Sequence, residues 1–179
     1  MKKISLFFIA SFLIVSLQAQ TLLPVDAASS VKFTIKNFGL KVDGSMKGLQ
    51  GKIIFNPASL ATASFNVSVD AATINTNNGS RDNHLKKEEY FDVAKHPGVQ
   101  FISTRIVATN NPAIFKMEGN ITIKGVTKLV NFPFTVVEKP GGHSFSGEFT
   151  INRRDFKVGG NSLVLSDNLI VSLSVFAKK

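Results

Sequence analysis

From residue 31 onward, apolar and polar positions alternate along the chain. Val31, Phe33 and Ile35 take one phase and Lys32, Thr34 and Lys36 the other, which on a strand gives one apolar face and one wet face. A second strand is predicted over residues 42–55. It carries Gly44, Gly48 and Gly51, a spacing that predicts bends or bulges in a curling sheet. Asn56-Pro57 ends it. In the third strand Phe65, Val67 and Val69 oppose Asn66, Ser68 and Asp70, and the pattern runs through Ile74 into the turn-rich residues 75–80. The fourth covers residues 99–107. The fifth sets Phe115, Met117, Gly119, Ile121 and Ile123 against Lys116, Glu118, Asn120, Thr122 and Lys124. The sixth has Val130, Phe132, Phe134 and Val136 in phase, with Pro133 marking an edge position or a bulge. The seventh carries Phe145, Gly147, Phe149 and Ile151. The last, over residues 168–176, carries Leu169, Val171, Leu173 and Val175. Short glycine-, proline- and asparagine-rich turns separate them.

One stretch breaks the alternation. Residues 81–93 set Leu85, Tyr90, Phe91 and Val93 among charged helix formers. They predict a short polar helix within residues 80–93, with Asp82 as N-cap and His96-Pro97-Gly98 ending it. Eight antiparallel strands without a parallel crossover suit a sandwich or a closed up-and-down barrel. Closure is favoured because it removes sheet edges. The predicted fold is all-β, with one helical insertion.

Composition sharpens this picture. Of the 179 residues, the first nineteen read as a cleaved leader: Lys2 and Lys3 precede an apolar run, and Ala19 offers a cut before Gln20. The run is short for a bilayer span, which needs ~20 residues. The expected location is therefore periplasmic or secreted, with residues 20–179 forming one domain. There is no cysteine, so disulfides, thiolate metal sites and a lipoprotein anchor are excluded, and stability must come from a core. The formal charge is +9, or +7 once Lys2 and Lys3 are removed. The lysines are scattered along the strands, which reads as a solvated outer face suited to transient contact with anionic lipid headgroups, not as a nucleic-acid site.

No catalytic constellation is present. His84 and Glu88 lie four apart, a spacing that could share a metal, but two ligands are too few, and His96 and His143 fall in other loops. Asp82 and Glu88 read as solvated charges, not as paired hydrolytic carboxylates. Ser146-Gly147 lacks a nucleophile elbow. No cofactor or metal is expected. Thirteen phenylalanines, one tyrosine and no tryptophan after residue 19 make the inward faces apolar and free of embedded polar groups. Such faces either pack a dry core or line a lumen for a greasy guest.

Several motifs, in order, resemble the YceI-like family of exported, polyisoprenoid-binding proteins. They are the glycine-spaced residues 44–55, Ile74-x-Thr76, Arg81-Asp82-x-His84-Leu85 and Tyr90-Phe91-Asp92-Val93. Pro97-x3-Phe101-x-Ser103, Gly119-x-Ile121-Thr122-Ile123-x-Gly125-Val126-Thr127 and Asn152-Arg153-x-Asp155-Phe156 follow. The resemblance runs from about Asp26 to the C-terminus. It departs where many members carry histidines near strand one, here Ala28-Ser29-Ser30 and Lys36-Asn37, and at Lys157, where the family has glycine. It implies a lipocalin-like, eight-stranded barrel with a long apolar lumen that holds an isoprenoid-chain lipid of the quinone or polyprenyl kind; no catalytic activity is established for that family as a whole, and none is expected here. The phased faces and the resemblance together nominate Phe33, Ile35, Phe65, Val67, Phe101, Phe115, Met117, Ile121, Phe132, Phe134, Phe149 and Leu173 as lumen lining. Arg81 and His84 are the headgroup candidates, weighed against a purely structural role for Arg81 and Asp82 at the barrel end. The competing reading is a structural or stress-related β-domain with a packed interior and no lipid. The oligomeric state is left open, a homodimer included.

Overall fold

The computed structural model describes residues 20–179; the predicted leader lies outside the described residues. Nine strands follow in order: β1 (Thr21–Pro24), β2 (Ser30–Asn37), β3 (Leu40–Ile54), β4 (Ser64–Asn75), β5 (Gly98–Ala108), β6 (Ile114–Ile123), β7 (Val126–Lys139), β8 (Gly142–Asn152) and β9 (Leu165–Lys178). All pairings are antiparallel, and β3 pairs with β4 to close the sheet. The closed wall has eight staves, because β1 and β2 share one. β2 lies between β3 and β9 over most of its length, and β1 continues the same stave, with Leu22 opposite Ile53 and Leu23 opposite Lys178. A short 3-10 turn, Asp26–Ala28, interrupts that stave. Two side chains repair the break. The Leu49 N–H donates to Asp26 Oδ1 (2.9 Å), and the Ser29 hydroxyl donates to the Val25 carbonyl (2.7 Å) while accepting from the Phe176 N–H (3.0 Å). The ladder groups orphaned by the interruption thus regain partners. The four-residue β1 is too short to show in the alternation of apolar and polar positions.

The curling expected in the glycine-spaced strand is present. The β3–β4 register slips twice, between Ser45 and Lys47 and between Lys47 and Gln50. Gly51, at φ +125°, lies so close to β4 that a Cβ would overlap the Asn66 carbonyl oxygen. Pro133 marks a change in pairing. The β7–β8 ladder runs from Lys139–Gly142 to Phe134–Gly147 and stops there, while β6 pairs with β7 through Pro133 down to Val126.

The predicted helix is shorter than expected. α1 spans Gly79–Leu85, and residues 86–97 are turns and irregular chain. Its N-cap is Asn78, whose side chain accepts from the Arg81 N–H (3.0 Å), and not Asp82.

The two ends of the barrel differ. At the end where β1 begins and β9 finishes, Phe55 stands among Phe65, Phe115, Phe134 and Phe145. Edge-to-face centroid distances here include 5.2 Å to Phe115 and 5.4 Å to Phe145, an arrangement the aromatic quadrupoles favour. Leu22, Ile53 and Ala177 are fully buried around this plug. At the opposite end, residues 76–97 and 153–164 cover a second, smaller core of Ile121, Ile123, Ile151, Phe156 and Val158.

Candidate lipid-binding lumen

Between the plug and the far end the interior is hollow. A cavity of about 490 Å³ runs along the barrel, within the range of small-ligand sites. Its floor is Phe65, Phe134 and Phe145, and its walls draw side chains from every strand from β2 to β9. Of the twelve predicted lining residues, all but Phe115 border it. Phe115 is buried in the plug beside Phe55 and Phe134. Inward phase gives a residue's face and not its depth along the barrel axis. The same phase also contributes Val31, Val42, Val69, Val99 and Val171 to the wall, residues legible from the alternation but not nominated.

What keeps the lumen open is a set of glycines facing phenylalanines. Gly44 lies directly opposite Phe33 in the β2–β3 ladder, and a Cβ on Gly44 would overlap the Phe33 ring. Gly119 receives the Phe101 ring in the same way, and Gly147 lies against Phe132. The rings therefore lie flat along the wall over a missing side chain. Phe132 in turn stacks on Phe149 with centroids 4.5 Å apart.

The mouth is built around Thr76, which is 4 % exposed. Asp82 Oδ1 accepts from both the N–H (2.9 Å) and the hydroxyl (2.5 Å) of Thr76. Arg81 Nε donates to the Thr76 hydroxyl and Nη2 to its carbonyl, each at 2.7 Å. A buried residue just past the end of β4 thus has all its polar groups paired. Asp82 does this work and caps no helix. Arg81 keeps three of its five N–H groups without a partner among the described residues, and no carboxylate lies within ion-pair distance of it. It borders the cavity on one side and, with Asn78, Ser80, Asn83, His84 and Lys87, a polar recess on the other.

His84 also borders the cavity. It packs edge-on against Tyr90, centroids 5.0 Å apart, and its Nε2 lies 3.4 Å from Glu89 Oε2. Tyr90 and Phe91, read in the sequence only as motif residues, line the mouth as well. Arg153 presents the opposite case to Arg81. It is buried and spends all five donors: on the carbonyls of Ser166, Val158, Gly160 and Leu165, and on Asp167 Oδ1 at 2.9 Å. It fixes the loop over the lumen and has nothing left for a guest. The two covering segments are joined where the Gly159 N–H donates to the Glu89 carbonyl (2.9 Å) and where Lys124 Nζ reaches the carbonyls of Glu89 and Lys157. Among the described residues no group of three or more histidines and acidic residues is placed to hold a metal.

Comparison with known proteins agrees with this architecture. Residues 24–177 match the model of the YceI-like domain. A UPF0312 protein of Pectobacterium atrosepticum is 30% identical over 135 residues, 72% of this chain and 69% of that protein. A UPF0312 protein of Pseudomonas fluorescens is 33% identical over 137 residues, 70% and 69% of the two chains. Among solved structures, the Campylobacter jejuni YceI protein superimposes with a TM-score of 0.68 at 30% identity, covering 77% of this chain and 85% of that one. Burkholderia cenocepacia BcnA gives a TM-score of 0.82 at 23% identity, covering 87% and 99%. A domain from Saccharophagus degradans described as polyisoprenoid-binding gives 0.70 at 14% identity, covering 90% and 99%. These last two establish likeness of fold alone.

Proposed function

The chain belongs to the YceI-like family, and from that premise we propose that it is a non-catalytic carrier or sequestering protein for a lipid with an isoprenoid-type chain, of the quinone or polyprenyl kind, in the periplasm or outside the cell. The observation that carries this reading is the apolar cavity of about 490 Å³, closed at one end by the phenylalanine plug and bordered at the other by polar groups. A chain buried there gains ~0.8 kcal/mol for each methylene removed from water, so length sets affinity until the lumen is full. At the mouth, the three unpartnered Arg81 N–H groups are placed to bind a carbonyl or phosphate oxygen, with His84 beside them. Arg81 then has two roles, holding Thr76 and presenting donors to the head. The description of the Saccharophagus degradans domain as polyisoprenoid-binding is consistent with such a guest.

Mass spectrometry of an organic extract of the purified protein, residues 20–179, tests the proposal. An isoprenoid-chain lipid in stoichiometric amount is expected, with rebinding after delipidation that strengthens with chain length. A delipidated protein that takes up no isoprenoid of any length overturns the reading.

A further inference from the structure

The tip of the β2–β3 hairpin departs from the local rules of strand pairing in three ways. Its two-residue turn, Phe38-Gly39, has φ of +51° and +76°. Hairpin turns of that kind favour Asn-Gly, because a bulky side chain resists positive φ. Here the first position is a phenylalanine, and it is 74 % exposed, so burial does not compensate the backbone strain. The strand residues beside it continue the anomaly: Leu40 is 72 % exposed. Behind the turn, Lys36 and Lys41 stand directly opposite each other, a like-charge cross-strand pair that disfavours the hairpin. Neither lysine has an acidic partner within ion-pair distance among the described residues.

The neighbouring loop completes a patch. The Phe38 N–H donates to the Val164 carbonyl at 2.9 Å, which fastens the hairpin tip to residues 162–164, where Leu163 is 103 % exposed. Phe38 and Val164 also border the cavity. An apolar rim backed by paired lysines is therefore continuous with the opening of the lumen. Local rules broken together at one place point to a function, since folding alone would select against each.

We propose that this rim is a membrane-docking surface: Phe38, Leu40 and Leu163 enter the interface of an anionic bilayer while Lys36 and Lys41 meet its headgroups. A short apolar wedge with flanking basic residues is the composition that interfacial binding uses. Charge complementarity selects the occupant. A second copy docked through the same patch would face each lysine pair with another in a protein of net positive charge, whereas anionic lipid supplies the missing counter-charge. Docked in this way, the mouth opens onto the phase that holds the guest named under the proposed function, and the inference rests on that reading for its purpose but not for its test.

The test is flotation of residues 20–179 with vesicles of phosphatidylglycerol and phosphatidylethanolamine, against vesicles of phosphatidylcholine alone. Binding is expected to the anionic vesicles and to fall steeply at high salt. Leu40→Thr with Leu163→Ser, neither of which borders the cavity, should weaken vesicle binding at least about tenfold and leave chain uptake from detergent solution unchanged. Phe38→Asn should weaken vesicle binding while raising the melting temperature, because asparagine tolerates the turn; a residue kept only for stability cannot give that opposition. Absence of binding to anionic vesicles overturns the proposal. So does binding that none of these substitutions alters, or sedimentation showing a dimer that they dissolve. Vesicle binding that persists in a protein which takes up no isoprenoid supports the docking surface and removes the carrier reading instead.

Discussion

Replacing Gly44 with alanine should narrow the lumen while leaving the fold in place. The three atoms nearest to a Cβ at this position all belong to the Phe33 ring, with Cε1 at 2.6 Å and Cε2 at 2.8 Å. Carbon atoms sit comfortably at ~3.5–4.0 Å and Cζ lies closer still, so the ring must retreat by ~1.5 Å. Phe33 is half-buried and already borders the cavity, so its open direction is into the lumen. Gly44 is not among the positive-φ glycines, and alanine is tolerated by the strand backbone there. A ring swung inward displaces about two methylenes of a bound chain, at ~0.8 kcal/mol each. The loss is ~1.6 kcal/mol, slightly more than tenfold in affinity. Titrating a graded series of isoprenoid alcohols against a displaceable fluorescent polyene fatty acid reads this directly. The longest chains should weaken about tenfold and the shortest hardly at all. Adding Phe33→Leu should restore the long chains, since the leucine no longer reaches the new methyl group. Full affinity for the long chains in a folded Gly44→Ala protein, or a loss that Phe33→Leu does not repair, would refute the idea that glycine gaps hold the lumen open.

Arg153→Ala should lower stability by ~3–5 kcal/mol in denaturant titration, since it takes the donor from four carbonyls and leaves Asp167 only the longer contact with Arg154 at 3.4 Å. Arg81→Ala should destabilise far less, by ~1–2 kcal/mol, and weaken polar-headed ligands more than bare hydrocarbons of equal length. Asp82→Ala should cost ~1–3 kcal/mol through the buried Thr76 N–H, against ~1 kcal/mol for loss of the helix cap in Asn78→Ala; equal effects would contradict the roles assigned to these two residues. His143 lies beside the plug with its Nδ1 buried and without a hydrogen-bond partner among the described residues, 6.0 Å from Phe145 between ring centroids. His143→Phe should therefore raise the melting temperature.

Alternation with a period of two was enough to place the eight long strands, because one face of each meets the interior and the other meets water. It could not find β1. Four residues, Thr21–Pro24, carry too few alternations to register, and their partners on β3 and β9 lie far along the chain. The helix is shorter than its sequence implies because Leu85, Tyr90, Phe91 and Val93 sit among good helix formers whose propensity the tertiary structure overrides. In the structure the chain turns after Leu85, and Asp92 takes φ +47°. Asp82 had the right chemistry for a cap, but Thr76 claims its carboxylate. The three glycines of β3 read alike and act differently: Gly48 and Gly51 serve the backbone, whereas Gly44 makes room for a ring. That distinction needs the cross-strand register, which no local pattern supplies. For the same reason Phe115 could not be told from Phe134 before the depth of each was known.

The shared stave also fixes where the described residues begin and end in space. Leu23 stands opposite Lys178, and the Lys179 N–H donates to the Gly141 carbonyl at 3.2 Å. The two ends of the described chain are therefore neighbours on the plugged base of the barrel, as far from Phe38 and α1 as the fold allows. An affinity tag, a fused reporter or a surface tether added at either end becomes a stalk beneath the base. A protein immobilised by its C-terminus holds its opening toward the solution, and a fluorophore on that stalk reports tumbling without crowding the rim. The same adjacency makes the molecule suited to circular permutation: a brief linker can join the ends, and new ends opened at the exposed Asn110-Asn111-Pro112 turn would leave the apolar compartment walled as before.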